Sequence, residues 1–228
     1  MCGIAGMFGH PDIAVIHRMN QVQHHRGPDG NDAWHDDRIA LGHTRLAIVD
    51  RAGGDQPLFG PKGEVLIANG EIYNHVAVRS KLTSYPYKTN VDSEAILALH
   101  AQTKANRTTG TMTASDHAGW ISHLDGMYAF SLWDAELGQL ILARDPLGIK
   151  PMVRTIVDGS LLFASEAKAL RAHESHVPAF DELALIARLA WGIPIGRNHP
   201  SEGRTSCPPW HRGSVGIAQW KRQTCQSI

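Results

Sequence analysis

Little in this chain announces a charged, membranous or metallic partner. Its 22 basic and 22 acidic side chains cancel to a formal net charge of zero, so no global field gathers a nucleic acid or an acidic membrane surface. No apolar run approaches the ~18 residues of a membrane span, and Met1-Cys2-Gly3 does not open a secretory signal. Cysteine is scarce: Cys2, Cys207 and Cys225 are odd in number and sit near the two ends. That argues against a disulfide framework and for a reducing, cytoplasmic setting. Histidine is plentiful, at 14 residues, yet His24-His25 is a sequential pair and none falls into HExxH or CxxC…HxxxH spacing. No metal site is expected.

What is present is enough apolar material for a full core: 228 residues, 43% hydrophobic, in one large domain with or without an appendage. Residues 3–8 form a short apolar run punctuated by glycine, which reads as a buried strand carrying Cys2 at its start. Ile13, Ile16, Met19 and Val22 recur at helical spacing behind Pro11-Asp12, predicting a helix over 13–22. Strand patterns follow at 39–49 and 65–73, separated by the turn-rich Gly53-Gly54-Asp55-Gln56-Pro57. Asp92 or Ser93 is placed to cap a helix with Ala95, Ile96 and Leu99 on its apolar face. A polar surface loop over 103–115 then leads to a helical stretch ending at Gly126.

Strands are expected at 127–133, 139–143, 153–157 and 161–164, with Asp158-Gly159 as a hairpin turn. Helices are expected at 165–172 and 181–191, the second turning Leu185, Ile186 and Leu189 inward. Strands joined by hairpins and flanked by helices predict an α+β fold: two antiparallel sheets covered by helices, a four-layer αββα sandwich. From 193 to 228 no period is sustained, and Arg197, Arg204, Arg212, Lys221 and Arg222 face the single acid Glu202. The domain is therefore set at 2–191 and an irregular tail at 192–228.

Cys2 stands behind the start methionine, where a small side chain generally permits methionine removal. The exposed residue then carries a thiol nucleophile and a free α-amine together. Such an amine titrates at about 7.7 to 8.0, so near neutral pH part of it is unprotonated and takes the thiol proton without any histidine. A thiol that attacks an amide needs donors for the developing oxyanion. Asn69-Gly70-Glu71 offers a side-chain amide and a glycine N–H inside a strand-like run, although Asn-Gly is first of all a turn signal. Arg45 lies among strand residues and needs a carboxylate, which is either Asp50 or a substrate.

Together these segments resemble the class II glutamine amidotransferase domain, an N-terminal-nucleophile hydrolase, in the form found in asparagine synthetases. The pieces are MCGIAG at 1–6, HRGPDG at 25–30, RLAIVD at 45–50, QPL at 56–58, NGEIYNH at 69–75 and DSE at 92–94. LDGMYAFSLWD at 124–134, RDPLGIKP at 144–151 and FASEAKAL at 163–170 complete the set in the family's order. The resemblance implies that Cys2 attacks the side-chain amide of L-glutamine while its α-amine passes the proton to departing ammonia. Asn69 and the N–H of Gly70 would form the oxyanion hole. Arg45 would clamp the α-carboxylate, Glu71 and Asp92 would receive the α-ammonium, and backbone groups at Ile48 would complete the pocket. Arg26 is assigned to organising the loop over the site, and Arg144-Asp145 to a fixed turn and ion pair.

The same resemblance exposes a gap. Asparagine synthetases continue into a nucleotide-binding domain marked by a Ser-Gly-Gly-x-Asp-Ser loop, and this sequence has none. The glutaminase reaction is expected to need no cofactor; ATP, magnesium and aspartate belong to that second part or to a synthetase acting in trans. The tail then reads as a truncated or frame-shifted remnant of the synthetase start. Two alternatives stay open: a stand-alone amidotransferase subunit feeding another acceptor, and an inert remnant that binds glutamine without turnover.

Overall fold

The apolar run at the start of the chain becomes β1 (Gly3–Phe8), buried along its whole length. Consecutive side chains serve different layers: Ile4 and Phe8 enter one core, Ala5 and Met7 another. That division is the two-residue period of a strand whose faces are both covered, which is why no polar alternation appears in its sequence. The computed structural model describes residues 1–48, 50–51, 53–107, 112–178, 186, 189–190, 218–221 and 224–227.

After β1, Asp12 accepts from the N–H groups of Ala14 and Val15 and starts α1 (Ile13–Gln23). β2 (Gly30–His35) and β3 (Ile39–Arg45) follow, then β4 (Leu58–Phe59) and β5 (Val65–Ile72). Three helices come next, α2 (His75–Lys81), α3 (Glu94–Ala105) and α4 (Ala114–Ile121). The remaining elements are β6 (Gly126–Asp134), β7 (Gln139–Arg144), β8 (Val153–Val157), β9 (Ser160–Ala164) and α5 (Ala167–Leu170), with β10 (Ala218–Lys221) and β11 (Thr224–Ser227) near the end.

One sheet has the order β2-β3-β1-β9-β8 and the other β11-β10-β7-β6-β5-β4, and every pairing is antiparallel. Between them lie Ile4, Phe8, Leu41, Ile67, Trp133 and Phe163. α1 and α5 cover the first sheet over Ile16, Met19, Leu162 and Leu170. α3 and α4 cover the second over Ile96, Trp120, Phe130 and Ile141. Three cores separate four layers, which is the αββα sandwich that the strand and helix pattern predicts. Among the described residues no helix is long and apolar enough to cross a membrane.

Several boundaries differ from the sequence expectation, each for a local reason. β3 stops at Arg45 rather than 49 because Leu46 turns its N–H to the Cys2 sulfur. α3 has Ser93 at its cap position with no side-chain cap bond, and Asp92 instead accepts from Ile72 N at 2.6 Å. α4 ends at Ile121, and Gly126 opens β6, where a Cβ would run into the Glu71 carbonyl. The loop expected over 103–115 is partly helical, since α3 reaches Ala105 and Thr113 closes a capping box with Asp116 to start α4. α5 is shorter than 165–172 because Ser165 serves the sheet: its N–H donates to Ile4 O and its Oγ accepts from Ile4 N.

Of the helix expected at 181–191, Ile186 and Leu189 are 61% and 78% exposed, not inward-facing; Leu185 and Trp191 lie outside the described residues. β10 and β11 fall within the segment read as irregular. β10 pairs with β7 from Ala218↔Leu142 to Trp220↔Leu140 and so extends the second sheet. A run as polar as Ala-Gln-Trp-Lys carries no strand period of its own; the free edge of β7 supplies the pairing.

Candidate active site

Cys2 sits immediately before β1, and its sulfur accepts from Leu46 N at 3.4 Å while the thiol faces Leu46 O at 3.9 Å. Its carbonyl accepts from Arg26 Nε at 3.0 Å. Arg26 in turn donates through Nη1 to Glu166 at 2.9 Å, and Glu166 also receives His25 and Lys168. Burial acts to raise the Glu166 carboxyl, but hydrogen bonds from Arg26, His25 and Lys168 outweigh it and bring it down to about 2. The carboxylate is thus ionised whenever Arg26 needs it. The terminal dipeptide is gripped from the β3 side by Leu46 and from the β9 side by the Glu166–Arg26 pair.

The thiol opens into a cavity of about 290 Å³ between the ends of the two sheets. All seven residues assigned from the sequence line it: Cys2, Arg45, Ile48, Asn69, Gly70, Glu71 and Asp92. Asn69 is 1% exposed, and its Nδ2 is buried with no hydrogen-bond partner among the described residues. An unpaired buried amide donor costs on the order of 1–3 kcal/mol, and in this cavity wall it is available to a ligand acceptor. Gly70, next on β5, pairs with Tyr128, and a Cβ there would strike the Met127 carbonyl. Only glycine lets the two strands close at that point.

Arg45 is buried, with its guanidinium held by the carbonyls of Asp50 and Arg51 at 2.5 and 3.1 Å and by Asp55 at 2.7 Å. This Asp50 contact comes from its backbone, and Arg45 pairs with the carboxylate of the exposed Asp55. Gly54 packs against the guanidinium, where a Cβ would lie 2.7 Å from Nη2. Ile48 is 72% exposed at the rim. Glu71 is exposed on the same wall, and Asp92 is buried beneath it through its bond to Ile72 N. The arrangement offers a nucleophile, a free donor pair at one end, and a cation with two carboxylates at the other.

Sequence reasoning assigned no role to His43, Gln56 or Lys150, all of which line the cavity. Burial, reinforced by Arg45, lowers His43 to about 4 against the pull of the Ala68 carbonyl, so it is neutral at neutral pH and donates Nε2–H to Ala68 O at 3.2 Å. Gln56 Oε1 accepts from Ala68 N at 2.6 Å. Ala68, the residue preceding Asn69, is thereby held at both its N–H and its carbonyl. A histidine and a glutamine beside apolar strands were the available signal. Arg144 and Asp145 build the turn assigned to them: Arg144 donates to Gly148 O and Lys150 O, and Asp145 accepts from Ile149 N and Lys150 N.

A second polar group lies outside the site. Ligand-capable atoms of the buried Glu64, His100 and Asp134 fall within 4.8 Å of one another. Lys104 Nζ stands among them, 2.7 Å from Asp134 and 3.3 Å from Glu64, so an ammonium already occupies the position between these acids.

The αββα sandwich places a thiol, an unpartnered amide donor and an arginine on one cavity, and the chain belongs to the glutamine amidotransferase domain family, whose sequence model matches residues 1–211. Among curated relatives it is 35% identical to asparagine synthetase [glutamine-hydrolyzing] 1 of Bacillus subtilis over 187 residues, covering 78% of this chain and 28% of that protein. It is 38% identical to asparagine synthetase [glutamine-hydrolyzing] 2 of Arabidopsis thaliana, covering 94% and 35%, and 38% identical to asparagine synthetase B of Escherichia coli, covering 75% and 30%. The chain spans about a third of the length of these relatives. The fold matches glutamine phosphoribosylpyrophosphate amidotransferase from B. subtilis with a TM-score of 0.63 at 21% identity, over 78% of this chain and 45% of that one.

Proposed function

We propose that this domain hydrolyses L-glutamine to glutamate and ammonia through a thioester on Cys2. The observation that carries the reading is the buried, unpartnered Nδ2 of Asn69 in the same cavity wall as the Cys2 sulfur. After methionine removal the α-amine of Cys2 takes the thiol proton, and the sulfur adds to the amide carbon of glutamine. Asn69 Nδ2 and Gly70 N–H stabilise the oxyanion; one such donor is worth on the order of 10² to 10³ in rate. Collapse expels ammonia, which leaves with the proton held by the α-amine. Water then adds to the thioester, giving its proton to the amine, and the thiol departs protonated to leave glutamate.

Arg45 binds the α-carboxylate in place of water or of the exposed Asp55, and Glu71 and Asp92 receive the α-ammonium, with Ile48 at the rim. Every group this reaction uses comes from the chain itself, so the glutaminase half calls for no cofactor. ATP, magnesium and aspartate belong to a synthetase part, covalently joined or acting in trans, and asparagine formation is not expected of this chain alone. The charge balance and cysteine usage favour a cytoplasmic setting. The test is glutamate release from glutamine, with intact mass confirming methionine removal. Correctly processed protein that binds glutamine without turnover overturns the reading and supports an inert module.

A further inference from the structure

Lys150 is 6% exposed and lines the cavity, yet no hydrogen bond or ion pair among the described residues engages its ammonium. Its backbone is fixed on both sides: the N–H donates to Asp145 Oδ2 at 3.0 Å, and the carbonyl accepts from Arg144 Nε at 2.6 Å. The turn therefore holds the residue rigidly and leaves the charged head for the cavity. A nearly buried cation without a counter-charge is costly, and structural lysines in this fold avoid the cost; Lys104 has three carboxylate partners. An anion supplied from outside resolves the difference.

The location says which anion. Asp145, which carries Lys150, donates its N–H to Tyr128 O at 2.8 Å and accepts from Tyr128 N at 3.3 Å. Tyr128 is the register partner of Gly70. Lys150 thus belongs to the end of the cavity marked by Asn69 and Gly70, while Arg45 and its 50–55 loop mark the other end. Resting on the glutaminase reading, the first end receives the side-chain terminus of the bound amino acid. There substrate and product differ by a full charge: glutamine presents a neutral amide, glutamate a carboxylate.

We propose that Lys150 is a product-recognition residue, whose ammonium pairs with the side-chain carboxylate of glutamate and makes the domain bind its product more tightly than the donor set for glutamine alone provides. The consequence is inhibition by glutamate competitive with glutamine, so that turnover responds to the ratio of the two.

The test measures equilibrium binding of glutamate and of glutamine to the full chain after methionine removal, in a Cys2→Ala background where glutamine persists. Lys150→Met is expected to weaken glutamate at least tenfold and glutamine less than threefold, and Lys150→Arg to keep glutamate within threefold of the parent. Lys150→Gln, also uncharged, gives the same reading if the methionine variant does not fold. Parallel loss of both ligands, or loss of neither, overturns the proposal. A Cys2→Ala chain that binds neither amino acid overturns the glutamine-pocket reading itself, and this inference with it.

Discussion

The strand β6 joins two buried polar regions that handle charge in opposite ways. Met127 at its start lines the cavity; Asp134 at its end lies roughly 24 Å away along the strand. At the Asp134 end, His100 donates at 2.9 Å, Lys104 at 2.7 Å and Leu137 N at 3.0 Å, so the carboxylate is paired inside the protein, while His100 Nδ1 has no partner among the described residues. His117 extends the group through Gln139 and Trp120, its ring stacked 5.9 Å from His100. At the cavity end neither the Asn69 Nδ2 nor the Lys150 ammonium has a partner among the described residues. Burial of polar groups is common to both; what separates them is that the cation at the Asp134 end has carboxylate partners and the cation at the cavity end has none among the described residues.

The sharpest break of this comparison is at the sulfur. Cys2→Ser is expected to lower glutamate release on the order of 10³-fold or more with an unchanged melting temperature; near-parent activity removes Cys2 as nucleophile. The matched region should answer in the opposite currency. Asp134→Asn strips Lys104 and His100 of their fully buried carboxylate and is expected to cost about 3 to 5 kcal/mol, read as a fall on the order of 10 °C in Tm, with the KM for glutamine unchanged. An equal effect on KM would show that the two ends of β6 are coupled. Asn69→Ala should reduce kcat on the order of 10²-fold while Tm stays within about 2 °C, because the Asn69 Nδ2 has no partner among the described residues to lose. A loss of stability without loss of rate reverses its assignment.

The smallest effect is expected at Glu166, on the surface side of the terminal grip. Its folded carboxyl is depressed from the ordinary 4.5 to about 2, so its contribution is complete above pH 4.5 and disappears as pH falls to about 2. Glu166→Gln should flatten the Tm profile in that window and leave Tm at pH 7 lowered by a degree or two. An unchanged slope shows that Arg26 holds Cys2 without it.

Much of the scaffold was legible residue by residue. The uninterrupted apolar run 3–8 could only be a strand covered on both faces, and Asp12 behind Pro11 caps α1 as its position predicts. Asp158-Gly159 turns the β8–β9 hairpin, with Asp158 at φ 49° and Gly159 at φ 76°. Asp92 lines the cavity, but what holds it was not legible: two positions before the start of α3 it looks like a cap, and its actual partner, Ile72 N, is 20 residues away. His43 and Gln56 carry only the weak signal of a polar residue beside an apolar strand, and Lys150 none, because their placement comes from which strand end or turn they are folded against. β10 is the extreme case, a polar segment made a strand by a neighbour far earlier in the chain.

By itself the sequence determined the order of strands and helices, the apolar content of three cores, and the residue types available for chemistry at the start of the chain. Those follow from local periodicity and from side-chain chemistry, which need no partner. Only the tertiary structure decided that Cys2, Arg45, Asn69, Gly70 and Asp92 share one cavity, and that the Asn69 amide and Lys150 ammonium have no partner there among the described residues while Lys104 is paired elsewhere. Whether a buried polar group is satisfied depends on atoms brought from distant positions, and no stretch of sequence contains both members of such a pair.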